Sequence, residues 1–395
     1  MGRHCDFDFD HLDLRRLRRR RGEKWRLFGE GPDAPLAAWV AEMDFPLAPP
    51  VRAVLERALE LDDVGYPLPP ARTGLPEATA RRMAERFGWQ IVPEQVEVIT
   101  DVVQGLYVAL ETLSRPGEGA VVQTPIYPPF LAAVHDTGRR LDENPLVLGE
   151  GGYVPDIAGL RAVGGPDTRL LLLCHPHNPS GRVFRREELA AIAEVVLERD
   201  LVVVSDEIHA DLVYPGHRHI PFATLSPEIA ARTLTLTSAT KAFNIPGLRC
   251  AVAIFGSEAL RDRFLRVPRS LRGGLGLLGI EATLAAWSAG QPWLDAVLRY
   301  LDANRRHIAE FVAAEMPGVG YTPPEAAILA WLDFRRLDLR PTPRGFFLEQ
   351  AGVALGEGLD FGEPGRGFAR ITFATSRAIL DEILGRMARA LRRRA

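Results

Sequence analysis

Lysine is almost missing from this sequence. The 395 residues contain 48 lysines and arginines together, yet only two of them, Lys24 and Lys241, are lysines. A reaction that needs a primary amine, such as the formation of a Schiff base, therefore has two candidate residues. Lys24 is flanked by arginines and polar residues, which predicts a solvated side chain, whereas Lys241 lies between two apolar segments, where loss of water lowers the pKa of an amine. The sequence thus favours Lys241 as a reactive lysine.

Cysteines, long apolar runs and excess charge are also scarce. Cys5, Cys174 and Cys250 are too far apart to indicate a disulfide framework or a metal site, which fits a reducing compartment. No run approaches about 20 apolar residues, so we expect no membrane segment. The net charge of −3 creates no overall attraction for nucleic acid, and the arginines within residues 15–21 are more typical of a solvated helix face. We therefore expect a cytoplasmic protein without a nucleic-acid or membrane partner.

The order of the predicted elements indicates an α/β protein. From residue 48 to about 280, strands alternate with helices over short connections, which is typical of a mostly parallel sheet wrapped by helices. After the glycine-rich residues 272–276, the pattern changes to helices, two strands and a basic helix, which indicates a smaller α+β domain. We predict an N-terminal segment (1–47) that belongs to the small domain and to a dimer contact, a large domain (48–285) and a small C-terminal domain (286–395).

Candidate ligand-binding residues follow several of the predicted strands, where open α/β sheets bind their ligands. These residues are Val102 and Val103, Tyr127, Asn178, Asp206 and Glu207. A helix that begins near Val102 presents free amides and the positive end of its dipole, which suits a phosphate. Tyr127 lies on a proline-bracketed turn and is either a core residue or a ring that stacks on a planar cofactor. Asp206 and Glu207 point to opposite faces of one strand, so only one of them can reach a given ligand.

Three other features are less specific. Tyr66 lies in a turn and either packs there or contacts a phosphate or a substrate. His175 and His177 have a spacing found in metal sites, but no third ligand accompanies them, so we expect no metal. The apolar residues 37–46 predict a short strand that a proline ends.

These stretches together resemble the fold-type-I enzymes that use pyridoxal 5′-phosphate (PLP), with an aspartate aminotransferase-like fold. Over nearly its whole length the chain is similar to the cystathionine β-lyase branch of the class I/II aminotransferases, the MalY/PatB type. The stretches that carry the resemblance include Asp6-Phe7-Asp8, Lys24-Trp25, Trp39-Val40-Ala41-Glu42-Met43-Asp44-Phe45-Pro46, Thr124-Pro125-Ile126-Tyr127-Pro128, His177-Asn178-Pro179-Ser180-Gly181-Arg182, Asp206-Glu207-Ile208-His209 and Ala330-Trp331-Leu332-Asp333. The resemblance implies that residues 48–285 form a large PLP-binding domain beside the small α+β domain.

The resemblance also implies a role for each residue around the cofactor ring. Lys241 would hold PLP as a Schiff base and later take the Cα proton of the substrate as a general base. Asp206 would pair with the pyridine nitrogen and keep it protonated. Asn178 would bond the phenolic oxygen of the ring, Tyr127 would stack on the ring, and His209 would pack close by.

Two further groups of residues follow from the same resemblance. The phosphate would be held by Val102, Val103, Ser238 and Arg249, joined by Tyr66 from a second subunit. The substrate would be bound through Arg370, which suits a carboxylate, together with Asn178, Trp39 and Tyr66. A phosphate shared between subunits implies a homodimer.

The implied activity is a PLP-dependent carbon–sulfur β-lyase that cleaves cystathionine or another S-substituted cysteine to a thiol, pyruvate and ammonia. An aminotransferase is the alternative, because it shares the first steps and because Arg249 resembles the phosphate-binding arginine of transaminases. A regulatory binding protein that has kept the fold is a third hypothesis. Such a protein would have no need for both Lys241 and Asp206.

Overall fold

The computed structural model describes residues 7–149 and 151–394, so Cys5, Asp6 and the extreme ends of the predicted domains lie outside the described residues. The strands of the described part are β1 Leu36–Ala37, β2 Val96–Ile99, β3 Gly119–Val122, β4 Arg140–Glu143, β5 Val147–Gly149, β6 Gly152–Val154, β7 Thr168–Cys174, β8 Val202–Asp206, β9 Thr233–Thr237, β10 Ala251–Phe255, β11 Gly320–Tyr321, β12 Leu329–Asp333, β13 Val353–Ala354, β14 Gly356–Glu357 and β15 Phe368–Thr372. The helices are α1 Leu14–Arg18, α2 Glu23–Arg26, α3 Pro49–Glu60, α4 Leu75–Phe87, α5 Val102–Leu113, α6 Pro128–Asp136, α7 Ile157–Ala162, α8 Arg186–Glu198, α9 Pro227–Ala231, α10 Glu258–Phe264, α11 Leu277–Ala289, α12 Gln291–Glu315, α13 Pro343–Ala351 and α14 Arg377–Arg394.

A seven-stranded sheet forms the centre of the larger part of the molecule. Its strand order is β2-β10-β9-β8-β7-β3-β4, and every neighbouring pair from β9 to β4 is parallel. Strand β10 runs antiparallel to both of its neighbours, β2 and β9. Leu170 to Leu173 of β7 are fully buried, because helices cover both faces of the sheet. The carboxyl ends of the parallel strands therefore meet at one edge, as in other open α/β sheets.

A smaller antiparallel sheet, in the order β11-β12-β15-β14, forms the second part. The N-terminal residues contribute to the same hydrophobic core, since Phe9, Leu17 and Trp25 cluster with Leu380 of α14. Strand β1 also pairs in parallel with β13. Within the described residues, no helix has both the length and the apolar character needed to cross a membrane.

The predicted strand at residues 37–46 is wrong in extent. Only Leu36 and Ala37 form a strand, and the chain continues to residue 46 without regular structure. The backbone groups of this stretch bond to partners on different elements instead of one neighbouring strand: the carbonyl of Ala38 accepts a hydrogen bond from Thr372 N at 2.8 Å, and Asp44 N donates to the carbonyl of Ala374 at 2.9 Å.

The prediction that Lys24 is solvated is also wrong. Lys24 is only 1% exposed, and its ammonium group donates to a carboxylate oxygen of Asp44 at 2.8 Å and to the carbonyl of Glu42 at 3.0 Å. The arginines that surround Lys24 in the sequence suggested an exposed segment, whereas the carboxylate that neutralises it comes from 20 residues farther along. Burial of a charge is tolerated when a counter-charge and hydrogen bonds compensate for lost water.

Candidate active site

The candidate residues meet at the carboxyl edge of the large sheet. Asp206 is the last residue of β8, and its register partner is Cys174, the last residue of β7. Asn178 follows β7, and Lys241 lies in the turn after β9. Tyr127 directly precedes α6, which follows β3. The strand–helix alternation thus gathers residues that are up to 114 positions apart in the sequence, from Tyr127 to Lys241.

Asp206 is a buried carboxyl group without a cationic partner at salt-bridge distance within the described residues. One of its oxygens accepts a hydrogen bond from the amide of Ile208 at 3.0 Å. Burial raises the pKa of Asp206 to about 7, and the amide of Ile208 and the charge of Lys241 only partly offset this effect. The neighbouring Glu207 points away, as the alternation of a strand requires, and bonds to His219 at 2.8 Å. Asp206 is therefore the carboxylate available at this edge.

Lys241 lies partly exposed beside the same edge. Its Nζ donates to the carbonyl oxygen of Ala41 at 3.1 Å. Burial, and then the positive charge of Arg370, lower the pKa of Lys241 to about 8, while Glu42 and Asp206 act in the opposite direction. A larger share of this amine than of an ordinary lysine is therefore neutral, and nucleophilic, near neutral pH.

Arg370, in the middle of β15, is a buried guanidinium that has no carboxylate partner among the described residues. Its two terminal nitrogens donate to Asn178 Oδ1 and to the carbonyl of Trp39, each at 3.0 Å, and its Nε has no partner in the described part of the chain. The guanidinium carbon lies 4.8 Å from the ring centre of Phe361. Burial lowers the pKa of Arg370 to about 10, yet the group remains charged at neutral pH. A fixed, desolvated cation of this kind can bind an anion such as a carboxylate.

The amino end of α5 offers a second anion-binding position. The N-cap residue Asp101 accepts a hydrogen bond from Gln104 N at 2.8 Å, which leaves the amides of Val102 and Val103 free of protein partners in the described structure. Arg249 reaches this end of the helix and forms a 2.6 Å ion pair with Asp101. The side chain of Arg249 is largely exposed, so it is accessible to a ligand.

The remaining four candidate residues differ in burial and in hydrogen bonding; they are Ser238, Tyr127, His209 and Tyr66. Ser238 is buried, and its hydroxyl donates to the carbonyl of Cys250 at 2.6 Å. Burial raises the pKa of Tyr127, and the charge of nearby Arg370 lowers it less, so the phenol stays protonated. Burial lowers the pKa of His209 to about 3, so its ring is neutral, and Nδ1 has no partner among the described residues. Tyr66 is fully exposed in the single chain.

The structure also brings residues into the site that the sequence did not single out. The carbonyl of Ala41 accepts the hydrogen bond from Lys241, and the side chain of Asn244 bonds to Met43 N at 2.8 Å and to Met43 O at 2.9 Å. Phe361 lies against Arg370. Asn244 adopts a φ of +55°, a conformation that asparagine adopts more easily than most residues. An asparagine three residues after Lys241 is therefore a sequence signal that could have indicated this position.

Comparisons with known proteins agree with this arrangement. The family model "Aminotransferase class I and II" matches residues 42–387. Cystathionine beta-lyase PatB of Bacillus subtilis is 36% identical over 93% of this chain and 96% of its own length. Cystathionine beta-lyase of Corynebacterium glutamicum is 35% identical over 96% of this chain and 99% of its own length. Among solved structures, cystalysin from Treponema denticola, whose crystal contains a PLP cofactor, superimposes with a TM-score of 0.93 at 29% identity and covers 98% of this chain and 100% of its own.

This chain belongs to the class I and II aminotransferase family, and its curated relatives include proteins named cystathionine beta-lyase. The family and the fold class that the sequence predicted are therefore confirmed. The roles of the individual residues stay predictions. Within residues 7–149 and 151–394, no group of three His, Cys, Asp or Glu side chains is placed to hold a metal ion.

The raised pKa of Asp206 leads to a prediction about stability in the protein without bound ligands. A carboxyl group whose pKa is higher in the folded state costs no stability below its unfolded value of about 3.9. Its cost grows as pH rises from there to the folded value of about 7 and is constant above it. We therefore expect Asp206→Asn to stabilise the ligand-free protein at pH 7.5 by about 2–4 kcal/mol relative to its effect at pH 4.

Urea unfolding of the two proteins across this pH range measures the difference. Asp33→Asn, at an exposed position, is the matched control and should give a nearly constant difference. A constant difference for Asp206→Asn as well would mean that the carboxyl group ionises in the folded state as easily as in water.

Proposed function

We propose that this protein is a PLP-dependent carbon–sulfur β-lyase that cleaves cystathionine or another S-substituted cysteine to a thiol, pyruvate and ammonia. The observation that carries the proposal is that an amine of lowered pKa, Lys241, and a buried carboxyl group, Asp206, lie at one edge of the large sheet. A buried guanidinium from the small sheet, Arg370, has no anionic partner among the described residues and bonds to Asn178 at this edge. Relatives of similar length that are named cystathionine beta-lyase support the reaction class.

The residues present fit PLP. The amides of Val102 and Val103, which have no partner among the described residues, and the exposed Arg249 are suitable donors for a phosphate. Ser238 would join them when its hydroxyl turns away from the carbonyl of Cys250, to which it donates in this structure. Asp206, which lines the same small cavity as Val102 and Val103, would accept a hydrogen bond from a pyridine nitrogen. Asn178 would donate through its amide to a phenolic oxygen.

Around the ring, Tyr127 supplies an aromatic face for stacking. The unpaired Nδ1 of His209, which lies among the described residues, is a further buried polar atom for the site. PLP, when bound, supplies an aldehyde that joins covalently to an amino group and a ring that withdraws electrons from the substrate Cα.

The residues of the chain bind the substrate and move its protons. Arg370 would bind the α-carboxylate, while Asn178 and the carbonyl of Trp39 fix the guanidinium. With PLP bound, Lys241 Nζ would be the base that accepts the proton from the substrate Cα. The bond between Cβ and sulfur then breaks, and the thiolate leaves with the electron pair. Water completes the conversion of the remaining fragment to pyruvate and ammonia.

The assembly and location are further proposals. We infer a homodimer in which Tyr66 of each subunit contacts the phosphate and the substrate that the other subunit binds. Exposed apolar residues flank Tyr66 in the sequence: Leu59, Leu61, Val64 and Leu68 are each more than half exposed. Such a concentration of exposed apolar residues is typical of an interface.

The proposal also includes the domain boundaries 1–47, 48–285 and 286–395. It includes a cytoplasmic location as well, which suits the buried free thiols of Cys174 and Cys250.

One experiment separates the lyase from the aminotransferase alternative. The purified protein with PLP is incubated with cystathionine, and separately with an amino acid and a 2-oxoacid. A lyase releases one thiol and one pyruvate for each cystathionine and needs no oxoacid. Amino transfer that depends on the oxoacid, without release of thiol, would contradict the lyase assignment and support the aminotransferase.

A further inference from the structure

The two lysines of the chain bond to neighbouring carbonyl groups of one short stretch, residues 39–44, which we name the 39–44 segment. Lys241 Nζ donates to the carbonyl of Ala41 at 3.1 Å, and Lys24 Nζ donates to the carbonyl of Glu42 at 3.0 Å. Lys24 has no exposed side-chain surface, so its position is set by the protein and not by water.

Three side chains from the N-terminal segment converge on Asp44. Lys24 Nζ and the indole nitrogen of Trp25 both donate to Asp44 Oδ1, at 2.8 Å and 3.0 Å. Arg20 donates to the backbone carbonyl of Asp44 at 2.9 Å. We name the buried ion pair and its tryptophan donor the Lys24–Asp44 clip. Burial of an ammonium group lowers the stability of the fold unless a counter-charge at hydrogen-bond distance compensates for the lost water. Asp44 Oδ1 supplies that counter-charge for Lys24.

The same segment contacts the two side chains to which the proposed function gives the central roles. The carbonyl of Trp39 accepts a hydrogen bond from Arg370 at 3.0 Å. Met43 is held through both its N–H and its carbonyl by the side chain of Asn244, three residues after Lys241. The 39–44 segment therefore connects the Lys24–Asp44 clip to Arg370 and to the turn that carries Lys241.

We propose that the Lys24–Asp44 clip is a positioning device for the active site. It fixes the 39–44 segment, and through the carbonyls of Trp39 and Ala41 it orients the guanidinium of Arg370 and the amine of Lys241. Lys24 touches neither substrate nor cofactor in this scheme, so it is a positioning residue. The inference rests on the proposed function only for what Arg370 and Lys241 do, since the contacts themselves belong to the chain.

Lys24→Met is the first test, because methionine has a similar volume but no charge and no donors. In the PLP-loaded protein we expect the KM for cystathionine to rise about 10-fold and kcat to fall only about 3-fold, since a loosened Arg370 weakens carboxylate binding more than it alters the chemistry. Arg52→Met is the matched control, because Arg52 belongs to an exposed i,i+4 pair with Glu56. Its kinetic constants should remain those of the wild type.

A second readout does not depend on turnover. With [ε-13C]lysine the full chain shows only two lysine signals, and Lys24→Met removes one of them, so the Lys241 signal is assigned at once. In the protein freed of PLP we expect the titration midpoint of Lys241, near 8 in the wild type, to fall by about 0.5–1 in the variant. The reason is that the Ala41 carbonyl stabilises the charged amine. Arg370 and Asp206, which also act on Lys241, remain in place. Glu42 loses the charge of Lys24, which lowers the pKa of its carboxyl group, and this loss acts on the Lys241 midpoint in the same direction.

The double variant Lys24→Met/Asp44→Leu separates positioning from stability. Replacing a buried ion pair by apolar residues of similar size often leaves stability unchanged. A stable double variant with a raised KM and a lowered Lys241 midpoint supports positioning, whereas wild-type values for both overturn it. Should Lys24→Met not fold, Trp25→Phe, which removes one donor to Asp44, should shift both quantities in the same directions but less. A lowered midpoint in a protein without lyase activity would keep the clip and refute the proposed function.

Discussion

Lys241→Ala is expected to lower lyase turnover by at least about 10³-fold. The substitution removes the amine that would hold PLP covalently and the base at Nζ that would take the Cα proton. The thiol released from cystathionine measures the rate. Borohydride reduction of the wild-type protein, followed by mass spectrometry of its peptides, should place the PLP adduct on the peptide that contains Lys241.

Lys241→Arg is the matched control for charge. Arginine keeps the positive charge and a donor for the carbonyl of Ala41, but its guanidinium cannot lose a proton at neutral pH. We therefore expect this variant to be as inactive as Lys241→Ala. Turnover near the wild-type rate in either variant would show that the reactive amine lies elsewhere, and Lys24 would be the single other lysine to consider.

Arg370→Met is expected to lower kcat/KM for cystathionine by about 10²–10⁴-fold, mainly through KM. Loss of one partner of a buried charge pair costs about 3–5 kcal/mol, and every 1.4 kcal/mol corresponds to a tenfold change. Arg370→Lys should recover part of the loss, because it restores the charge but not the two parallel N–H groups.

An S-substituted cysteamine, which lacks the α-carboxylate, provides the control substrate for this prediction. The wild type and Arg370→Met should process such a compound at similar, low rates. If the variant loses as much activity on the cysteamine as on cystathionine, Arg370 supports the structure of the site and does not bind the carboxylate.

The sequence predicted the mostly parallel sheet well because the signals for its strands and helices are local. The continuous leucines of residues 170–173 indicated a strand buried on both faces, and the structure buries all of them. The ends of such strands in a parallel sheet lie at one edge, so the sequence alone predicts that Asn178, Asp206 and Lys241 lie near each other.

What the sequence could not predict depends on contacts between distant parts of the chain. The surroundings of Lys24 in the sequence are polar, and its burial follows only from the approach of Asp44. The irregular path of residues 38–46 likewise results from bonds to Asn244, Thr372 and Ala374, which no local pattern reports. That Arg370 Nε has no partner among residues 7–149 and 151–394 is likewise a property of the folded chain, which no local pattern reports.

The reversed direction of β10 has a consequence for how far the lysine can travel. Because β10 returns alongside β9, residues 238 and 250 come back to the same edge, and the hydroxyl of Ser238 closes the loop onto the carbonyl of Cys250 at 2.6 Å. A parallel crossover would have carried the chain to the opposite edge of the sheet. The backbone at Lys241 is therefore held from both sides, by the end of β9 and by the start of β10. In the proposed reaction the side chain of Lys241 would move while its backbone stays in place, so the amine would return to the same position.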